Sequence, residues 1–194
     1  MIMKNDEESA EEVTTLLKRL LEVVIDYPRD LELDYRLLVG RTDWRIRGNI
    51  NDQGKLVGRQ GAHIKAVGFI MSAIGNSRGQ QYVVRLEEGQ GERHPEIGRR
   101  PASPTYSCTA KLQLLKDILA EVLEEPAEVQ VWKDGCDSPP TFVFTIVAKR
   151  IQDYESLVQA PFADESTLIG ACGTLFRAAG HCDGVVLKLE VPAR

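Results

Sequence analysis

Paired cysteines are missing from this 194-residue chain. Cys108, Cys136, Cys172 and Cys182 form no CxxC pair and only three histidines accompany them, which excludes the usual zinc-ligand spacing. The thiols read as reduced and mostly buried. No apolar run approaches the roughly 20 residues that a membrane helix needs. Residues 1–12 are acidic and polar, unlike a secretory signal. The motifs of catalysis are missing too. Gly54-Lys55 precedes no GxxxxGK[ST] pattern, no Ser/His/Asp grouping carries a motif around it, and Glu87-Glu88 and Glu124-Glu125 read as solvated ends of elements. The expectation is a cytoplasmic protein that is not an enzyme, with no cofactor, metal, membrane or small-molecule substrate.

What is present is an uneven distribution of charge. The apolar share of 43% and the charged share of 27% are ordinary for a globular chain, and the formal net charge is −5. Residues 41–85 nevertheless carry eight basic side chains against two acidic ones, a local +6, and no acidic residue lies between Lys55 and Arg85. Residues 1–40 and 101–194 are each net acidic by five. Local charge rather than the overall balance sets a footprint on a polyanion.

The basic stretch contains Gly54-Lys55-Leu56-Val57-Gly58-Arg59-Gln60-Gly61-Ala62-His63-Ile64-Lys65, with helical apolar spacing on both sides of Gly58-Arg59-Gln60-Gly61. Two helices joined this tightly need residues that accept positive φ and let another backbone come close. The second helix would begin near Gly61, and its N-terminal N–H groups favour an anion. The run Gly54 to Ile74 resembles the core of a KH domain, whose GxxG loop holds the backbone of a single strand. It is most similar to the small bacterial KH proteins of the KhpA type, over about residues 12–88.

Periodicity gives the element order around the loop. An amphipathic helix is predicted over 11–26, ended by Pro28. Alternation then predicts one strand through Leu31, Leu33 and Tyr35, and a second through Trp44 and Ile46 toward Ile50. A short helix at 52–57, a helix at 61–75 and a strand from Gln81 to Glu87 complete an αββααβ order, that of a type II KH domain. The second half echoes the first. Leu16-Leu17-Lys18 recurs as Leu114-Leu115-Lys116 and Pro28 as Pro126, both 98 residues on, and after a three-residue insertion Leu56-Val57 recurs as Leu157-Val158. The expected fold is therefore α+β, two tandem type II KH-like αββααβ domains, each a three-stranded sheet packed against helices. Its parts are an acidic tail at 1–10, a KH domain at 11–88, a linker at 89–107, and a degenerate copy at 108–192. Opposite the glycine loop the copy has Gln159-Ala160-Pro161-Phe162, with no glycine and with a proline that lacks an N–H.

The resemblance implies single-stranded RNA as partner, gripped by Gly58, Arg59, Gln60 and Gly61, with Lys55, His63 and Lys65 adding phosphate contacts. Leu56, Val57 and Ile64 would form an apolar floor for bases, although Val57 and Ile64 fit core packing equally well. His63 reads otherwise as an exposed helix residue. Arg45 and Arg47 share one strand face, and either line the basic side of the groove or sit in solvent. Trp44 and Trp132 fit the core better than base stacking. Arg93, Arg99 and Arg100 read as solvated linker residues. The work implied is RNA chaperoning or post-transcriptional regulation, with self-association or another KH protein as a further partner. The competing reading is a protein-interaction scaffold built on KH-like folds.

Overall fold

The computed structural model describes residues 4–87, 108–125, 127–134, 141–147, 157, 167–178 and 184–190. The chain divides into two compact units, Met1–Thr105 and Tyr106–Arg194. Among the described residues, no helix is long and apolar enough to cross a membrane.

In the first unit the order is α1 (Lys4–Glu22), β1 (Glu32–Leu38), β2 (Arg41–Arg47), α2 (Gln53–Val57), α3 (Ala62–Ser77) and β3 (Gln81–Leu86). α1 begins seven residues before the position expected. The stretch before Ala10 has no apolar stripe to signal a helix, but Glu7 and Glu8 suit a helix N-terminus, where the dipole is positive. The helix ends at Glu22, four residues early. Val23, Val24 and Ile25 remain buried after the helical path has stopped, so their spacing reported the core and not the helix. Leu17, Leu20 and Leu21 fill the core beneath the helix.

β1 and β2 pair antiparallel from Glu32↔Arg47 to Leu38↔Arg41, and β2 pairs parallel with β3, giving the sheet order β1-β2-β3. Val39 and Gly40 make the whole hairpin turn, with Gly40 at φ 69°. β2 starts at Arg41 and stops at Arg47, earlier than the alternation suggested. Asn49 turns the chain away, its side chain accepting the Asn51 N–H at 2.9 Å, and Ile50 enters a short 3-10 turn instead of the strand. Thr42, Trp44 and Ile46 are buried, whereas Arg41, Asp43, Arg45 and Arg47 face the other side. Trp44 is a core residue, as its alternation implied. It is fully buried, its indole N–H donates to Thr14 Oγ1 at 2.9 Å, and its ring meets Tyr82 edge-on at 4.8 Å.

The second unit has α4 (Cys108–Val122), β4 (Glu128–Asp134), β5 (Thr141–Val147), α5 (Leu168–Ala178) and β6 (Gly184–Glu190). β4 and β5 are antiparallel, β5 and β6 parallel, and the order is β4-β5-β6. The fold is thus α+β, with two three-stranded sheets, each packed with helices in the KH-like manner. Buried positions coincide at the sequence offset of 98: Leu16 with Leu114, Leu17 with Leu115, Leu20 with Ile118 and Leu21 with Leu119. After the three-residue insertion Ile70, Met71 and Ile74 correspond to buried Ala171, Cys172 and Leu175. The units differ at the central strand. β2 alternates, but Val143, Phe144, Thr145 and Ile146 are all buried, so β5 is covered on both faces. The 89–107 connection with its arginines, residues 159–162 and the Trp132 side chain lie outside the described residues.

Candidate nucleic-acid interface

α2 ends at Gly58, whose φ of 71° and ψ of 176° lie in a region that side chains almost never enter. The position also demands a bare Cα for a second reason. A Cβ here would stand 2.6 Å from His63 Cγ and 2.8 Å from the His63 backbone nitrogen. Gln60 follows at φ 54°, the one non-glycine residue with positive φ among the described residues, and Gly61 at φ 80°. Two successive left-handed residues reverse the chain into α3. No side chain caps that 16-residue helix, although its first N–H, that of Ala62, donates to the Arg59 carbonyl.

Arg59, Gln60 and Lys65 are exposed. A Cβ on Gly61 would lie 3.6 Å from Lys65 Cε, so the lysine stem leans back along the helix over the loop. Among the described residues neither Arg59 nor Lys65 has an acidic partner. The four loop residues and Lys65 therefore form one compact cationic turn at a helix start, with chemistry suited to a phosphodiester.

His63 is half-buried, not exposed. Its Nδ1 lies 2.6 Å from the Lys55 carbonyl oxygen, and since a carbonyl only accepts, Nδ1 carries the proton. The ring thereby ties the first turn of α3 to α2 across Gly58. Val57 and Ile64 are half-buried beside the loop. Leu56 is buried, packed against Gly48, and offers no surface to a base, which corrects its assignment to an apolar floor.

Arg45 and Arg47 also depart from the groove reading. The sheet face with Trp44 and Tyr82 receives α3, because Gly75 lies against Tyr82. The arginines alternate to the opposite face. There Arg47 meets Glu87 at 2.7 Å, Asp34 at 3.0 Å and Glu32 at 3.6 Å, and Arg45 meets Glu87 at 3.6 Å. The Arg47–Glu87 hydrogen bond raises the Arg47 pKa and lowers that of Glu87. Counting charge over residues 41–85 missed these carboxylates, which strand pairing brings from outside the window.

A second set of residues escaped the sequence reading. Asp52, 1% exposed, accepts the N–H of Asp26 at 2.9 Å and that of Tyr27 at 2.7 Å, one on each carboxylate oxygen. Burial raises its pKa, and the two N–H groups oppose the shift. Asp26 in turn forms an ion pair with Lys55. The signal available in sequence was an aspartate directly before a short helix, which pattern reading treats as an ordinary helix start.

No protein-family model matches the chain. Over 79 residues, 41% of this chain and 93% of the other, it is 23% identical to the RNA-binding protein KhpA of Lactiplantibacillus plantarum. The chain is thus similar over one domain's length to an RNA-binding protein.

Proposed function

We propose that the first unit binds single-stranded RNA by its sugar-phosphate backbone at Gly58-Arg59-Gln60-Gly61, as a type II KH domain. The observation that carries this reading is the left-handed turn at Gln60 and Gly61, which sets exposed Arg59, Gln60 and Lys65 around an uncapped helix start. Val57 and Ile64 border the loop on its apolar side, where a base would rest. The similarity to an RNA-binding protein supports the same partner. The matching buried positions at the 98-residue offset support a duplicated unit, in which the second copy, without a glycine loop, stabilises the protein or recruits a partner. The protein would act in the cytoplasm in RNA chaperoning or post-transcriptional regulation, without catalysis.

The test is binding of short single-stranded RNA pools across a salt series by the wild-type chain and by Arg59→Asp/Gln60→Asp. With two free cations at the loop, the slope of log affinity against log salt should be near −1.4, from about 0.7 per neutralised phosphate. The variant, shown folded by circular dichroism, should lose binding. Equal affinity in the two proteins would refute the loop as the RNA site. A wild-type chain that binds no RNA but retains a polypeptide partner would favour the scaffold reading.

A further inference from the structure

Lys55 stands in the motif where the KH resemblance implies a phosphate contact, but its surroundings assign it other work. Its ammonium is paired with the Asp26 carboxylate, whose side chain is only 10% exposed. Asp26 and Asp52 belong to one cluster. Asp52 holds the Asp26 and Tyr27 N–H groups and is itself buried, and the Asp26 charge adds to the rise in its pKa that burial causes. Lys55 supplies a cation to this cluster. Its main chain is engaged as well, since the carbonyl accepts from His63 Nδ1 and Gly54, one residue earlier, accepts the Gly58 N–H at 2.9 Å.

From these contacts we infer that Lys55 is a positioning residue of the loop and not a phosphate ligand. Its ammonium pairs with Asp26 beside buried Asp52 and so anchors α2 to the chain that follows α1. α2 then holds Gly58 from one side and, through the Lys55 carbonyl, His63 from the other. A phosphate competing for the ammonium would have to break its pair with Asp26, which the low exposure of that carboxylate makes costly. The anchoring is read from the contacts alone, whereas its effect on affinity rests on the RNA reading above.

Two measurements separate the alternatives. In Lys55→Met, checked for folding, RNA affinity should fall about threefold to tenfold by the same factor at every salt concentration, the order expected for a change acting through coupling. The salt slope should stay as in wild type. A slope flattened by about 0.7 would mean that a phosphate contact was lost, and would overturn the inference. The exchange Asp26→Lys/Lys55→Asp keeps the ion pair while removing the cation from position 55. It should recover affinity, which a direct ligand would not allow. Independently of RNA, amide hydrogen exchange in Lys55→Met should accelerate at residues 58–63 while Ile70 to Ile74 in α3 stay protected. Unchanged exchange at the loop would overturn the positioning role even if no RNA bound, so failure of one reading is distinguishable from failure of the other.

Discussion

Replacing Gly58 by alanine probes the loop more severely than any other single methyl group. Two costs add. The backbone at φ 71°, ψ 176° lies in territory reserved for glycine, at about 1–3 kcal/mol. The new Cβ would also meet His63 at 2.6 Å from Cγ and 2.8 Å from the backbone nitrogen, and a backbone atom cannot step aside as a flexible side chain does. Overpacking of this kind costs about 1–3 kcal/mol. The expected destabilisation of the first unit is about 4 kcal/mol. Gly61→Ala is the internal control. At φ 80° it carries the left-handed penalty, about 1–2 kcal/mol, but meets only the Lys65 stem at 3.6 Å. For a unit of this size the two substitutions should lower the melting temperature by roughly 15–30 °C and 5–15 °C. Urea and thermal unfolding followed by Trp44 fluorescence, in a Trp132→Phe background, would report the first unit. In a His63→Ala background the Gly58→Ala penalty should shrink by about 1 kcal/mol, because the ring contact is gone while the backbone contact persists. Equal penalties at Gly58 and Gly61, or no relief on removing the ring, would refute the packing of His63 over the loop.

Asp52→Asn should destabilise the first unit by about 1–3 kcal/mol, because an amide has one acceptor for the two N–H groups that the carboxylate satisfies. Its pKa is raised by burial, so the folded state holds the proton more tightly than the unfolded state. That stability is fully present below the ordinary aspartate value and is lost as pH rises through the raised one. Denaturation midpoints from pH 3 upward should therefore decline more steeply in wild type than in Asp52→Asn; parallel profiles would contradict the assignment. In the second unit, burial pushes the Cys172 thiol up to about 12. At pH 8 the native protein should leave Cys172 unalkylated while half-buried Cys108 reacts before it, with Cys172 labelled only on unfolding. Labelling of Cys172 at the rate of a free thiol, read by peptide mass spectrometry, would contradict its burial.

Sequence alone determined the kind of elements and their order. The stripe at Leu16, Leu17, Leu20 and Leu21 specified a helix because side chains that far apart share one face, and alternation through Leu33, Tyr35, Trp44 and Ile46 specified strands for the same reason. The glycines at 58 and 61 marked the turn because few other residues accept its dihedral angles. Each is a property of a residue and its near neighbours. Only the tertiary structure decided what the charged residues do, because a side chain's partner is set by register and packing. Strand pairing placed Glu32, Asp34 and Glu87 against Arg47, and Glu87 beside Arg45, on the sheet face away from α3. The return of the chain after α1 placed Asp26 and Asp52 beneath Lys55, and closure of the loop laid His63 across Gly58. Attraction between charges acts through space at a few ångströms, and residues 13 to 42 positions apart in the chain reach that distance only after folding.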